Sequence, residues 1–180
     1  MQLTDSLYIN KKYKQDILKQ IVDSPLNPKH KYVYSDLGFI LLGELVETLS
    51  GKTLDKYLED NFYKPMNLSH TCFRPKEKEN IENIVPTIEA VDFRNSLIKG
   101  NVHDETSALL GGVAGHAGLF STTEDLFAIC QMILNKGEYN GKRYINAKTI
   151  DLFSQTHFAE HNNRRALGWD KPLLKGKSSH

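Results

Sequence analysis

The chain has 180 residues, which is enough for one domain of ordinary size or a large piece of one. Its 39% hydrophobic and 25% charged residues are normal for a globular protein, and a net charge of +1 gives no long-range field that would attract nucleic acid. Cys72 and Cys130 are too far apart for a disulfide framework or a metal knuckle. No export signal opens the chain, and no apolar run is long enough to span a bilayer.

Hydrophobic spacing and capping residues predict a largely helical chain. The predicted helices cover residues 14–24, 36–49, 53–62, 106–110 and 121–136, with a last helix capped by Asn146. Asn140-Gly141 is typical of a hairpin turn. Residues 84–100 show little periodicity, so we expect them to wind irregularly over the surface.

The second predicted helix begins with three polar side chains in a row, Tyr34, Ser35 and Asp36. Asp36 suits the N-cap, because its short carboxylate can accept from the free N–H groups of the first turn. The apolar residues behind it predict a helix buried almost all round. Such a helix would hold Tyr34 in a fixed position. On local pattern alone, the commoner explanation of Tyr34 is an edge residue beside an ordinary cap, since caps outnumber active sites.

Further along, His103 and Asp104 precede a short helix, and a glycine-rich run from Gly111 to Gly118 contains His116. Glycines at this density let the backbone pass close to a ligand or to another segment of chain. The pattern does not distinguish these two uses.

Three blocks of this sequence resemble the serine β-lactamase-like superfamily, which holds class C β-lactamases, penicillin-binding DD-peptidases and related esterases. The blocks are Tyr34-Ser35-Asp36-Leu37-Gly38-Phe39, then Tyr63-Lys64-Pro65-Met66-Asn67-Leu68 with Thr71, then Gly111 to Thr122 with Asp125 and Leu126. They occur in the family's order. The family has Tyr-x-Asn in the first block, and Asp36 departs from it.

The resemblance implies that Tyr34 and Asp36 are catalytic and that the substrate-binding residues are Ser35, His103, Asp104, His116 and Gly118. It implies no metal and no cofactor. The implied fold is mainly α: residues 1–180 would be the central helical part of the α/β β-lactamase/transpeptidase-like domain, with the flanking antiparallel sheet mostly missing. A chain without that sheet would expose the apolar sides of several helices and associate.

The family's acyl transfer needs a Ser-x-x-Lys motif upstream of the tyrosine and a Lys-Thr-Gly or His-x-Gly motif downstream, and neither is found in these residues. We therefore expect part of a serine hydrolase acting on a β-lactam, a cell-wall peptide or a small ester, inactive alone and completed by missing parts of its own domain. The family implies a periplasmic or cell-envelope location. The alternative is a non-catalytic helical binding module of the same fold.

Two further motifs are interpreted as coincidences. Ser96-Leu97-Ile98-Lys99 spells Ser-x-x-Lys, but it lies downstream of the tyrosine in an irregular stretch. His157-Phe158-Ala159-Glu160-His161 matches a zinc peptidase pattern, but no glutamate follows to complete the ligand set.

Overall fold

The computed structural model of the chain describes residues 3, 7–10, 12–26, 32–89, 92–161 and 163–172. Its α-helices are α1 (Tyr13–Val22), α2 (Leu37–Ser50), α3 (Leu54–Leu58), α4 (Glu105–Leu109), α5 (Thr123–Leu134) and α6 (Ala147–Ser154). A π-helical turn, Glu59–Tyr63, extends α3, and 3-10 turns cover Pro75–Glu77, Ile81–Asn83 and Ala159–His161. The chain divides into two compact units, Met1–Asp125 and Leu126–His180.

The strands of the described residues are short and form two-stranded antiparallel sheets. They are β1 (Cys72–Phe73) with β4 (Leu119–Phe120), β2 (Pro86–Glu89) with β3 (Leu97–Lys99), and β5 (Glu138–Tyr139) with β6 (Lys142–Arg143). The predicted mainly α fold is therefore confirmed. The irregular course predicted for residues 84–100 is wrong, because β2 and β3 form a hairpin there. The sequence does not reveal this hairpin because Ile98 is the one fully buried side chain in the two strands, so apolar and polar residues do not alternate along them.

Helix α2 begins and ends within one residue of the prediction, and Gly51 closes it in the left-handed conformation with φ 67°. The predicted capping bond is wrong: in the described structure the Asp36 side chain makes no cap hydrogen bond. Asp36 has helical backbone angles (φ −79°, ψ −21°) rather than the extended ones of a capping residue. The Ser35 hydroxyl instead accepts from the Leu37 N–H at 3.3 Å.

The predicted burial of α2 on nearly all sides is also wrong. Only Ile40 and Gly43 are buried, whereas a stripe of leucines is exposed, namely Leu41, Leu42, Leu45 and Leu49. The sequence shows how apolar the helix is, but it does not show how many of its sides other segments cover. The described part of the chain covers only one side. The exposure of apolar helix faces, which we expected for a chain without the family's sheet, is confirmed.

Among the described residues, two small hydrophobic clusters pack around α4. The first contains Leu3, Val102 and Ala108. The second contains Ile40 of α2, Leu110 and Ala114, and α1 packs against it through Ile17, Leu18 and Ile21. The segment 102–114 thus contributes to both clusters, which fixes the position of the residues on either side of α4.

In the second unit the local predictions hold. Asn140 and Gly141 both have positive φ at the tip of the β5–β6 hairpin. The Asn146 side chain caps α6 by accepting from the Lys148 N–H at 2.9 Å.

Candidate functional site

Tyr34, Ser35 and Asp36 lie together at the entrance of α2, as predicted. Tyr34 and Ser35 are exposed and Asp36 is partly buried. The Tyr34 side chain, at 68% exposure, faces solvent rather than the interior of the unit. This places a phenol, a hydroxyl and a carboxylate on the surface at the first turn of one helix.

The glycine-rich run packs its backbone directly on α2. A Cβ atom added to Gly115 would lie 2.0 Å from the carbonyl oxygen of Phe39, and one added to Gly43 would lie 3.0 Å from the backbone nitrogen of Gly115. Of the two uses left open by the sequence, close packing against another segment is therefore observed at Gly115. The contact brings the loop that contains His116 to the helix that follows Tyr34.

His116 and Asp104 form a hydrogen-bonded pair, with 2.8 Å between His116 Nε2 and Asp104 Oδ1. The His116 side chain is only 3% exposed and that of Asp104 is 34% exposed. The same Asp104 oxygen accepts from the Ser107 N–H at 2.6 Å and so caps α4. Among the described residues, His116 Nδ1 is buried without a hydrogen-bond partner. The structure thus brings together two of the predicted substrate-binding residues.

The other two predicted residues of this region have different surroundings. His103 is exposed, and its backbone carbonyl accepts a hydrogen bond from Arg94. Gly118 is a packing residue: with φ 115°, it lies where an added Cβ would come within 2.6 Å of the Gly112 carbonyl oxygen. Their assignment to substrate binding stays a prediction.

Arg94 is the residue that the sequence analysis missed. Its side chain is fully buried and donates to the carbonyl oxygens of Val102 at 2.9 Å and His103 at 2.6 Å, and to the carboxylate of Asp92. The Arg94 guanidinium lowers the pKa of Asp92 to about 2. A lone arginine in a stretch without periodicity carries no local pattern, so only its long-range partners reveal it.

The second and third sequence blocks meet in a buried polar network. The Thr71 hydroxyl donates to the Asp125 carboxylate at 2.9 Å and contacts the Ser121 hydroxyl at 2.8 Å. The same carboxylate accepts from the His70 N–H at 2.9 Å. Together with the contact between Phe39 and Gly115, this network joins all three blocks by direct contacts.

A cavity of about 520 Å³ lies in the first unit, and none of the predicted site residues lines it. Its wall includes Lys14 with Glu47, which are 3.1 Å apart, and Arg74 with Asp55, which are also ion-paired. These wall charges neutralise one another.

The two motifs interpreted as coincidences lack the geometry of their chemistry. Residues 97–99 are a strand, so Ser96 and Lys99 are about 10 Å apart along an extended chain instead of one helical turn apart. His157 and His161 lie beyond the end of α6, where a 3-10 turn covers 159–161, and His157 Nε2 is bonded to the Leu152 carbonyl oxygen. The described residues contain no cluster of histidine, cysteine and acidic side chains that could hold a metal ion. No described helix is long and apolar enough to cross a membrane.

Comparison with known proteins gives a consistent result. The family model described as Beta-lactamase matches residues 2–176. The chain is 40% identical to N-acetylmuramyl-L-alanine amidase of Bacillus subtilis (strain 168) over 151 residues, which are 77% of this chain and 34% of the relative. It is 37% identical to a protein of Escherichia coli (strain K12) named as a D-alanyl-D-alanine carboxypeptidase, over 87% of this chain and 40% of the relative.

Among solved structures, the octameric penicillin-binding protein homologue from Pyrococcus abyssi superposes with a TM-score of 0.58 at 16% identity, covering 83% of this chain and 32% of that protein. At this identity the likeness concerns the fold alone. The chain spans well under half the length of each of these proteins.

Proposed function

This chain belongs to the Beta-lactamase family, and we propose that it is part of a serine hydrolase that acts by acyl transfer on an amide or ester bond. The observation that carries the proposal is the convergence of the three family blocks. Direct contacts join the first half of α2, the Thr71 region and the glycine-rich loop within one compact unit. Residues far apart in sequence are brought together as a site would require.

In the proposed reaction a serine attacks the carbonyl carbon, the amine or alcohol leaves, and water releases the acyl group. Tyr34 is assigned to proton transfer and Asp36 to the electrostatics around it. A free tyrosine has a pKa of about 10, so Tyr34 needs cationic neighbours to act as a base at neutral pH. We propose that the nucleophilic serine and its lysine come from outside these 180 residues and that the chain alone is inactive.

Substrate contacts are assigned to Ser35, His103, Asp104, His116 and Gly118. A cell-wall peptide is our preferred substrate, in keeping with the names of the amidase and carboxypeptidase relatives. The carboxylate of Asp36, where the family has an amide, would repel substrates whose own carboxylate lies near the acyl site. This disfavours penicillins and, by the same argument, a peptide bond next to a free C-terminus, so an internal amide bond of a cell-wall peptide is the preferred target. A substrate of this kind would place the protein in the cell envelope.

One observation favours a second candidate, a non-catalytic binding module. The exposed leucine stripe of α2 is typical of a surface that another polypeptide covers. The stripe fits covering by the remainder of the same domain as well as covering by a separate partner. The experiment below distinguishes the serine hydrolase from the binding module by whether a nucleophile reacts.

The test is the intact mass of the protein after incubation with a fluorophosphonate and, separately, with a penicillin. It is run on this chain and on a longer protein in which the chain continues into its native flanking sequence, each with a Tyr34→Phe variant as a matched control. We expect a fluorophosphonate adduct on the longer protein only, and turnover of an ester substrate that Tyr34→Phe abolishes. An adduct on residues 1–180 would refute the assignment of the nucleophile, and no adduct on either protein would favour the binding module.

A further inference from the structure

We propose that Arg94 is a positioning residue that holds Asp104 against His116. The significance of the pair for catalysis rests on the proposed function, which assigns it to the substrate cleft. The positioning itself is a property of this chain and can be measured without any activity.

Arg94 fixes the backbone immediately before Asp104. Its Nη1 donates to the Val102 carbonyl oxygen and its Nη2 donates to the His103 carbonyl oxygen. These carbonyls belong to two consecutive planar peptide units, and the second of them ends at the Asp104 Cα atom. Holding both planes therefore fixes the Asp104 N–Cα bond, and the cap bond from the Ser107 N–H to Asp104 Oδ1 restrains the rotation that remains about it.

Arg94 is itself held in place by Asp92. The carboxylate of Asp92 accepts from Arg94 Nε at 3.1 Å and also from Nη2, which is a two-point contact. With the two carbonyls, nearly every donor of the guanidinium fork is used, and the side chain is fully buried. A planar fork presents its donors to a carboxylate and two carbonyls from three separate nitrogens, whereas a lysine presents its three donors from a single nitrogen.

The geometry defines the state of His116. An ionised carboxylate only accepts hydrogen bonds, so the bond to Asp104 places a proton on His116 Nε2, and in the neutral imidazole Nδ1 is then an acceptor. Nδ1 is the buried ring atom that has no partner among the described residues. Through Asp104, Arg94 thus sets the orientation of His116 Nδ1, an acceptor that suits an N–H or O–H donor.

Arg143 offers a matched control, because it makes the same kinds of bond elsewhere. It donates to the carbonyl oxygens of Lys136 and Ile145 and to the carboxylate of Glu138, but it lies in the β5–β6 hairpin of the second unit. Replacing either arginine by lysine removes one fork and keeps the charge.

The experiment follows the His116 Nε2–H resonance and the backbone amides by NMR in the 180-residue chain uniformly labelled with ¹⁵N, above pH ~8, where an ordinary imidazole with a pKa of about 6.5 is neutral. A His116→Gln variant assigns the signal. In the wild type we expect one protected Nε2–H. In Arg94→Lys we expect its exchange with solvent to be about tenfold faster or more, from local opening, while Arg143→Lys leaves it unchanged.

Two results would overturn the proposal. One is a His116 Nε2–H that exchanges with solvent in Arg94→Lys at the same rate as in the wild type, since the pair would then be held without the guanidinium fork. The other is a faster exchange shared equally by backbone amides throughout the first unit, since Arg94 would then act on stability alone. A changed His116 signal with unchanged ester turnover in the longer protein would leave the positioning role intact and refute the assignment of the pair to the substrate cleft.

Discussion

Replacing Gly115 by alanine tests the contact that joins the glycine-rich loop to α2. The added Cβ would lie 2.0 Å from the Phe39 carbonyl oxygen, and the obstacle is backbone, which a rotamer change cannot remove. Forcing an extra carbon into a packed site costs about 1–3 kcal/mol, and a clash with backbone belongs at the upper end. For a chain of this length, about 3 kcal/mol corresponds to a Tm lowered by about 6–12 °C.

Two glycines of α2 provide a graded comparison, measured by thermal unfolding followed by circular dichroism. Nothing in the described part of the chain lies within 4 Å of a Cβ added at Gly38, so Gly38→Ala should raise Tm by about 1–4 °C through helix propensity. Gly43→Ala, whose Cβ would be 3.0 Å from the Gly115 nitrogen, should fall between the two. If Gly115→Ala unfolds at the wild-type temperature, the loop does not pack on α2 as described.

Three further predictions concern charge, surface and capping. Hydrogen bonds from Lys78 and Lys56 lower the pKa of Glu59 to about 2, so the stabilising effect of its carboxylate is complete above pH ~4.5 and is lost as the pH falls towards 2. The Tm difference between wild type and Glu59→Gln should therefore shrink over that pH range. A Tm difference that stays constant would contradict the prediction. The leucine stripe of α2 should make the chain associate, and size-exclusion chromatography should show less association for Leu45→Lys but not for Leu26→Lys, whose side chain is 93% exposed outside the stripe. Asn146→Ala should lower the free energy of unfolding by about 1 kcal/mol in a denaturant titration, because it removes an observed cap; an equal loss in Asp36→Ala, which has no cap bond to lose, would argue against this reason.

The sequence predicted the elements that depend on neighbouring residues. Gly51 closes α2 and Asn140-Gly141 forms the hairpin turn, because positive φ is a property of those residues themselves. The β2–β3 hairpin was missed for the opposite reason. In this hairpin Ile88 pairs with Ile98, and no residue pattern within either strand predicts which residue it pairs with.

The candidate site divides in the same way. The motif at Tyr34 and the glycine-rich run were recognisable as sequence, and so was the family. The cap at Asp36 was placed at the right residue, but its carboxylate turned out to make no cap bond because the backbone there is already helical. The hydrogen bonds of Arg94 could not be predicted from the sequence, since its carbonyl partners are eight and nine residues away in an irregular segment.

By itself, the sequence determined where helices start and stop, how the tight turn is made and which superfamily the chain resembles. Helix hydrogen bonds close over four residues, so these features are encoded locally. Only the tertiary structure decided which side of α2 is covered, that Asp104 reaches His116 twelve residues away, and that Thr71 reaches Asp125 across 54. Such contacts form when distant segments close on a shared core, and the residues at one end do not specify the residues at the other.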